Sequence, residues 1–351
     1  MRNLVAVAAL LAGPGAAWAE VPRVATDIAP IHGLVARVMQ GLGEPDLVVP
    51  PGASPHGYAM RPSEARVLDQ ADVVFWVGEA LTPWLEGPLQ ELAGDAHRVE
   101  LLAAKGSTVL PFREGARFEK HAHDDHDDHD AHGDHGDHAS DDVHEAHGNH
   151  GDHQEHDNHE MHAEAGHDDH HGGADHAGHD HEGADPHAWL LPANAIAWLD
   201  LIAQELAEQD PENAALYVAN AEAGKQEISA VVADVSSTLE AMQSLQFIVF
   251  HDAYQYFETG FGLTAAGAIS LSDASKPSPA RIAELRQVVA DLQVTCVFSE
   301  PQFNPGLVAT VLEGTGAKTA VLDPLGIELE LGPNFYPNLL QGLGAAISNC
   351  K

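Results

Sequence analysis

Histidine is the residue type in this sequence with the clearest capacity for chemistry, because neutral imidazole is the commonest side-chain ligand of transition metals. The 351-residue chain contains 25 histidines, and 20 of them are crowded into one segment. The remaining five are His32, His56, His97, His187 and His251. Convergence of several of these isolated imidazoles would create a tight metal site.

Three of the five stand in turns that follow apolar or low-complexity stretches. His56 lies in a Pro-His-Gly turn, His187 in a Pro-His-Ala-Trp sequence, and His251 directly after the apolar run 247–250. Ligands of open α/β sheets bind at the carboxyl ends of strands. We therefore predict that these three imidazoles converge on one Zn²⁺, with metal-to-nitrogen distances of about 2.0 to 2.1 Å.

The other two isolated histidines have simpler interpretations. His97 stands at the entry of a strand-like run and is predicted to be a surface residue. His32 follows Pro30-Ile31 and is predicted to lie at a helix start. A position facing the cleft behind the metal ligands is the alternative for His32.

The segment 119–183 is of low complexity. Residues 121–181 contain 20 histidines and 19 acidic residues but no Lys or Arg. Few apolar side chains are present to offset the entropy of ordering, so we predict a disordered surface loop. Its imidazoles and carboxylates offer weak, overlapping sites for Zn²⁺, Ni²⁺ or Cu²⁺. We hypothesise that the loop gathers zinc for the tight site, and a solvated acidic linker is the alternative.

Short apolar runs alternate with amphipathic stretches on both sides of this segment, a pattern typical of parallel sheets covered by helices. Strands are predicted over 23–28, 46–49, 73–77 and 97–101, and over 247–250, 263–270, 294–298 and 319–322. Helices are predicted over 33–41, 62–70, 279–291 and 305–314. The sequence therefore predicts an α/β protein with two (β/α) lobes and mostly parallel sheets.

One long helix is predicted between the lobes. Asp210-Pro211-Glu212 supplies an N-cap residue, a proline and an acid, and apolar residues then recur at helical spacing. The predicted boundaries are 20–210 for the N-terminal lobe, 211–241 for the linking helix and 242–351 for the C-terminal lobe. Such a helix would be about 45 Å long and would resist large opening motions.

Residues 1–19 have a basic start, a short apolar run and an A-x-A site, which predict a secretory signal peptide. The mature protein is therefore expected to be exported and soluble. The formal net charge of −38 argues against binding to nucleic acid or to an anionic membrane. Cys296 and Cys350 are predicted to form a disulfide in an oxidising compartment. A metal-binding thiol pair is the less favoured alternative, because C-x-x-C spacing is absent.

Five motifs along nearly the whole mature chain resemble the zinc-binding periplasmic proteins of the ZnuA type, which are solute-binding proteins of ABC importers. They are GASPHGY with RPSE (52–64), DPHAW (185–189), FHDAYQYF (250–257), CVFSEPQF (296–303) and LDPLG (322–326). The resemblance implies two lobes joined by one backbone helix, with the metal in the cleft between them.

By motif, the resemblance implies His56, His187 and His251 as the zinc ligands. Manganese and iron relatives have a carboxylate at the position of His251, so the imidazole indicates zinc. Some zinc relatives use a glutamate directly before the first histidine, where this chain has Pro55. Asp323 matches the position that completes the site in many relatives. The resemblance therefore implies Asp323 as the fourth ligand, with water as the alternative.

The resemblance also implies partners and a location. It implies a periplasmic protein that delivers zinc to the membrane permease of an ABC importer, with ATP hydrolysis supplied by a separate subunit. Other periplasmic zinc chaperones are candidate partners, and a monomer is expected.

Two other classes of function are open to a zinc-binding exported protein. A zinc enzyme needs an open coordination position and a general base. The sequence has no H-E-x-x-H motif and no complete nucleophile elbow or phosphate loop, so we expect no catalysis. A periplasmic zinc buffer would use the histidine-rich segment alone, and deletion of residues 121–181 would distinguish it from a protein with a tight site.

Overall fold

The computed structural model describes residues 21–113, 118, 183–270, 278–303 and 306–350. Within them the chain forms two four-stranded parallel sheets, each flanked by helices. The predicted α/β fold with two parallel-sheet lobes is confirmed. The predicted signal peptide and nearly all of the predicted histidine-rich loop lie outside the described residues.

The N-terminal sheet has the strand order β2-β1-β3-β4. Its strands are β1 (Val24–Thr26), β2 (Asp46–Leu47), β3 (Val73–Trp76) and β4 (His97–Glu100), and its helices are α1 (Ala29–Val38), α2 (Pro62–Gln70), α3 (Glu86–Glu91) and α4 (Pro192–Gln209). The two central strands, β1 and β3, are buried at every position. Burial on both faces is typical of central parallel strands, and β3 accordingly has the continuous apolar sequence Val-Val-Phe-Trp.

The C-terminal sheet repeats the arrangement in the order β6-β5-β7-β8. Its strands are β5 (Phe247–His251), β6 (Gly267–Ser270), β7 (Cys296–Ser299) and β8 (Lys318–Val321), and its helices are α6 (Gln255–Phe261), α7 (Pro279–Asp291), α8 (Gly306–Leu312) and α9 (Phe335–Asn349). Because every pairing is parallel, the carboxyl ends of β5 and β7 lie side by side.

Helix α5 (Ala214–Leu239) lies between the lobes in sequence and packs against α1 and α4 of the first lobe and α9 of the second. It begins three residues later than predicted. Residues 211–213 form a turn because the Asp210 carboxylate accepts hydrogen bonds from the Asn213 amide (2.7 Å) and the Tyr217 hydroxyl (3.1 Å). The 26 helical residues span about 39 Å, somewhat less than predicted.

One hydrophobic cluster runs through both lobes and includes Phe75 of β3, Trp198 of α4 and Phe298 of β7. Two smaller clusters, one in each lobe, contain side chains of alternate strand positions together with the neighbouring helices. Both lobes belong to one compact unit. The shared hydrophobic cluster therefore holds the two lobes together.

Among the described residues, no helix combines the length and apolarity needed to cross a membrane.

A disulfide joins Cys296 at the start of β7 to Cys350 just after α9, with the two Cα atoms 5.9 Å apart. This confirms the predicted pairing. The bond fastens the last helix to the C-terminal sheet.

Two predicted helices, 62–70 and 279–291, have the observed bounds. The helix predicted from Gly33 begins instead at Ala29. Pro30 lies in its first turn, where a backbone N–H has no partner within the helix, so the missing N–H of proline costs no hydrogen bond. The strand predicted over 263–270 is shorter and begins at Gly267.

Candidate metal centre

His56 reaches the centre on a loop of the N-terminal lobe. It lies in the 3-10 turn Pro55–Gly57, whose Pro55 carbonyl accepts a hydrogen bond from the Trp84 indole at 2.6 Å. Earlier in the same loop, Gly52 adopts φ +89° beside the Ile327 side chain of the other lobe. The loop is therefore braced from both lobes.

His187 and His251 arrive from different elements. His187 stands directly before the 3-10 turn Ala188–Leu190, which leads into α4. His251 is the last residue of the buried strand β5. The position of His251 follows the rule that ligands gather at the carboxyl ends of parallel strands.

The three imidazoles meet through their Nε2 atoms. His187 Nε2 lies 3.3 Å from His56 Nε2 and 3.3 Å from His251 Nε2. One ligand atom from each of the three lies within 4.8 Å of the others. A tetrahedral ion with bonds of about 2.0 to 2.1 Å separates two ligand nitrogens by about 3.3 to 3.4 Å. The two Nε2–Nε2 distances of His187 therefore fit a single tetrahedral zinc ion.

The walls of this centre are largely apolar. The indole of Trp189 stands 5.3 Å from the His187 ring, and the ring of Phe303 stands 5.6 Å from that of His251, centroid to centroid. His187 and His251 are each 4% exposed, whereas His56 is half-buried. Solvent therefore reaches the centre from the side of His56, whereas the protein shields the other two ligands.

Two buried carboxylates contact the outer nitrogens of the buried histidines. Asp185 Oδ1 lies 2.7 Å from His187 Nδ1, and Glu300 Oε1 lies 2.7 Å from His251 Nδ1. Neither residue was assigned a role from the sequence. A partial signal was present, because Asp185 precedes His187 by two residues and Glu300 lies two residues after the predicted strand 294–298.

Burial raises the pKa of the Asp185 carboxyl to about 7, while the His187 backbone N–H and the charge of Arg113 act in the opposite direction. A cation held on His187 would favour the ionised carboxylate.

Asp323, the predicted alternative to water as fourth ligand, lies in the neighbouring turn. Its Oδ1 accepts backbone N–H groups of Leu325 and Gly326 at 3.0 Å each, and its Oδ2 accepts that of Ile327 at 2.6 Å. Within the described residues, the cluster of candidate ligand atoms contains the three histidines and not Asp323. In this structure the carboxylate caps its own turn.

The two remaining isolated histidines lie where the sequence predicted. His97 is exposed, and its Nε2 lies 2.6 Å from Glu205 Oε2. His32 is buried in the first turn of α1, with Nε2 3.0 Å from the Pro45 carbonyl oxygen.

A family model for ZnuA, described as the periplasmic component A of a zinc-uptake complex, matches residues 24–350. The chain belongs to the ZnuA family. ZnuA-type proteins are metal-binding transport components, so the chain is a transport component and not an enzyme.

Curated relatives match along the full length. The high-affinity zinc uptake system protein ZnuA of Brucella abortus (strain 2308) is 43% identical over 352 aligned residues, covering 100% of this chain and 98% of the relative. The protein of the same name from Paracoccus denitrificans is 43% identical, covering 99% and 97%.

Solved structures share the fold at lower identity. A crystal structure of ZnuA gives a TM-score of 0.67 at 20% identity, covering 94% of this chain and 98% of that one. The solute-binding protein FpvC of Pseudomonas aeruginosa in complex with Mn²⁺ also gives 0.67, at 19% identity. The fold alone therefore does not determine the metal, and the ligand atoms of this chain must decide it.

Proposed function

We propose that this protein captures Zn²⁺ in the periplasm and delivers it to the membrane permease of an ABC importer. His56, His187 and His251 bind the ion, which is cargo. The observation that carries the proposal is that His187 Nε2 lies 3.3 Å from the Nε2 atoms of both His56 and His251 in an apolar, largely buried centre. Family membership and the names of the curated relatives support zinc as the ion.

The chemistry of the donor atoms also supports zinc. Three imidazole nitrogens suit Zn²⁺, whereas Mn²⁺, Mg²⁺ and Ca²⁺ favour oxygen-rich sites. Nickel and copper bind imidazole well, so discrimination from them depends on the tetrahedral geometry that the three ligand positions impose.

The fourth coordination position is taken by Asp323 or by water. The three backbone hydrogen bonds of the Asp323 carboxylate support water, because ligation would compete with bonds that hold its turn. An Asp323→Asn variant separates the two. Zinc affinity close to that of the unaltered protein indicates water, and a loss of 100-fold or more indicates direct ligation.

Competition titration with a chromophoric zinc chelator tests the ligand set. We expect His56→Ala and His187→Ala to abolish the tightest site and leave weaker sites. His97→Ala is the matched control, because this exposed imidazole contacts Glu205 outside the centre. Retention of the tightest site in His187→Ala would refute the proposal.

Delivery to a permease is tested in cells that lack their own copy of this protein. Uptake of radioactive zinc at scarce metal should return with the unaltered gene and not with the His187→Ala gene, at equal periplasmic amounts of protein. Equal uptake with both genes would show that the centre is not used for import.

The histidine-rich segment, which lies outside the described residues, is proposed to gather zinc and raise the rate at which the centre fills. Its 20 histidines in residues 121–181 motivate this. A variant with these histidines replaced by asparagine keeps the length and acidity of the segment. We expect slower zinc loading in the presence of a competing chelator and an unchanged tight site. Equal loading rates would remove the assisting role, and loss of the tight site would favour a zinc buffer.

A further inference from the structure

Each buried histidine of the metal centre is held at two points by one carboxylate oxygen. Asp185 Oδ1 lies 2.7 Å from His187 Nδ1 and also accepts the His187 backbone N–H at 3.0 Å. Glu300 Oε1 lies 2.7 Å from His251 Nδ1 and accepts the His251 backbone N–H at 3.2 Å. Holding the ring and the backbone of one residue through a single atom restricts both side-chain torsions of the histidine.

The two contacts have different structural origins. Asp185 and His187 are two residues apart in one turn of the N-terminal lobe, whereas Glu300 and His251 lie at the ends of neighbouring strands β7 and β5. The same carboxylate–histidine contact is therefore built in two different ways, once within a turn and once between two strands.

We propose that Asp185 and Glu300 are positioning residues for zinc capture, which hold His187 and His251 as Nδ1–H tautomers with Nε2 turned toward the ion. This inference rests on the proposed function of the centre. An oxygen that already accepts a backbone N–H is placed to accept the ring Nδ1–H as well, and in that tautomer Nε2 carries the lone pair that can bind a metal. The pre-set rings keep the nitrogens near tetrahedral spacing before zinc arrives.

Burial makes this positioning specific to the two carboxylates. Asp185 is 1% exposed and Glu300 is 3% exposed, so water is excluded as a substitute acceptor. Loss of such an outer partner of a metal-binding histidine typically weakens metal binding 10- to 100-fold.

The test compares two variants at each position. Asp185→Leu and Glu300→Leu remove the acceptor at similar side-chain size, and we expect 10- to 100-fold weaker zinc binding in chelator competition. Asp185→Asn and Glu300→Gln keep an oxygen acceptor, and we expect them to recover part of the affinity. Asp72→Asn is the matched control, because one Asp72 oxygen likewise accepts the backbone N–H and side-chain Nε–H of a single residue, Arg23, away from the centre.

A second readout reports ring position directly. In zinc-free full-length protein labelled with ¹⁵N-histidine, buried and hydrogen-bonded ring N–H protons remain visible in water because their exchange is slow. We expect Asp185→Leu to lose the Nδ1–H signal of His187 alone and Asp185→Asn to keep it. A general loss of structure would instead broaden many signals and lower the thermal midpoint.

The outcomes separate this inference from the function on which it rests. If His187→Ala keeps tight zinc binding, the proposed function is wrong. If His187→Ala loses it while folded Asp185→Leu and Glu300→Leu bind zinc like the unaltered protein, only the positioning role is overturned. If the leucine variants do not fold, the decision passes to Asp185→Asn and Glu300→Gln. If both of these variants bind zinc as tightly as Asp72→Asn does, the positioning role is overturned. If they bind zinc several-fold more weakly than Asp72→Asn, the role is supported.

Discussion

Arg113 donates two parallel hydrogen bonds to Glu258, from Nη1 to Oε2 at 2.8 Å and from Nη2 to Oε1 at 2.9 Å. Its guanidinium also contacts the carboxylate of Asp252, the neighbour of His251, and lies 3.9 Å from the Phe118 ring centroid. Because Arg113 belongs to the predicted N-terminal lobe and both acids to the C-terminal lobe, this cluster joins the lobes beside the metal centre.

Removal of this arginine should destabilise the fold strongly. Asp252 and Glu258 are 2% and 4% exposed, so Arg113→Ala leaves two buried carboxylates without their cation. Breaking a buried ion pair costs about 3 to 5 kcal/mol. Urea unfolding of zinc-free protein measures this. The control Arg23→Ala breaks an exposed pair with Asp72 and should cost about 1 kcal/mol or less. Similar losses of unfolding free energy in both variants would contradict the expectation that burial makes the Arg113 ion pairs costly to break.

Two glycines on helix α9 should respond to alanine with opposite signs. A Cβ at Gly344 would lie 2.8 Å from Val235 Cγ1 of α5, whereas a Cβ at Gly342 would have nothing within 4 Å. We expect Gly344→Ala to destabilise the protein by about 1 to 3 kcal/mol through overpacking. Gly342→Ala should stabilise it by up to about 1 kcal/mol through helix propensity. Thermal unfolding of both variants measures these changes in stability. A gain in stability for Gly344→Ala would show that α5 and α9 are not closely packed there.

The sequence predicted those parts of the fold and centre that depend on local pattern. Proline and acidic residues marked helix α2, and the rule for strand ends indicated that His56, His187 and His251 would converge, as the structure shows. Their role as zinc ligands stays a prediction. Spacing placed Asp185 near His187, but whether its carboxylate contacts the ring depends on side-chain torsions. The contact of Glu300 with His251 also depends on the register of β5 and β7, which the sequence does not specify.

The start of α5 was predicted wrongly for a related reason. Asp210-Pro211 has the composition of a helix start, but Asp210 Oδ2 accepts hydrogen bonds from the Asn213 side-chain amide and from the hydroxyl of Tyr217 within the helix. A local hydrogen-bond network that includes a residue seven positions away outweighed the capping preference. Similarly, the three backbone contacts of Asp323 depend on how its turn folds, which sequence alone does not specify.

Reduction of the Cys296–Cys350 disulfide should lower stability while leaving zinc affinity unchanged. The bond closes a separation of 54 residues, for which the chain-entropy model gives about 4 kcal/mol. Cys296 begins β7, whereas Glu300 follows the opposite end of this strand, so the metal centre should remain ordered. Urea unfolding with and without a phosphine reductant, and a zinc titration under both conditions, test the two statements. Loss of zinc affinity in folded, reduced protein would show that the bond also supports the centre.

The buried Asp27 should give the unfolding free energy a distinct pH dependence. Its carboxylate accepts the backbone N–H of Ile28 at 2.8 Å and of Val77 at 2.7 Å, yet burial raises its pKa to about 7. The ordinary pKa in an unfolded chain is about 3.9. Between these values the folded protein retains a proton that the unfolded chain releases, so a rise in pH favours unfolding.

Asp27→Asn removes this titration, since asparagine resembles the protonated acid. The stability of the unaltered protein relative to Asp27→Asn should therefore be highest below about pH 4 and fall as the pH rises through about 7. The slope should reach at most about 1.4 kcal/mol per pH unit. Urea unfolding of both proteins with a chelator present, at intervals from pH 4 to 8, provides the comparison. Parallel pH profiles would mean that Asp27 is ionised in the folded protein across this range, with its two backbone donors outweighing the cost of burial.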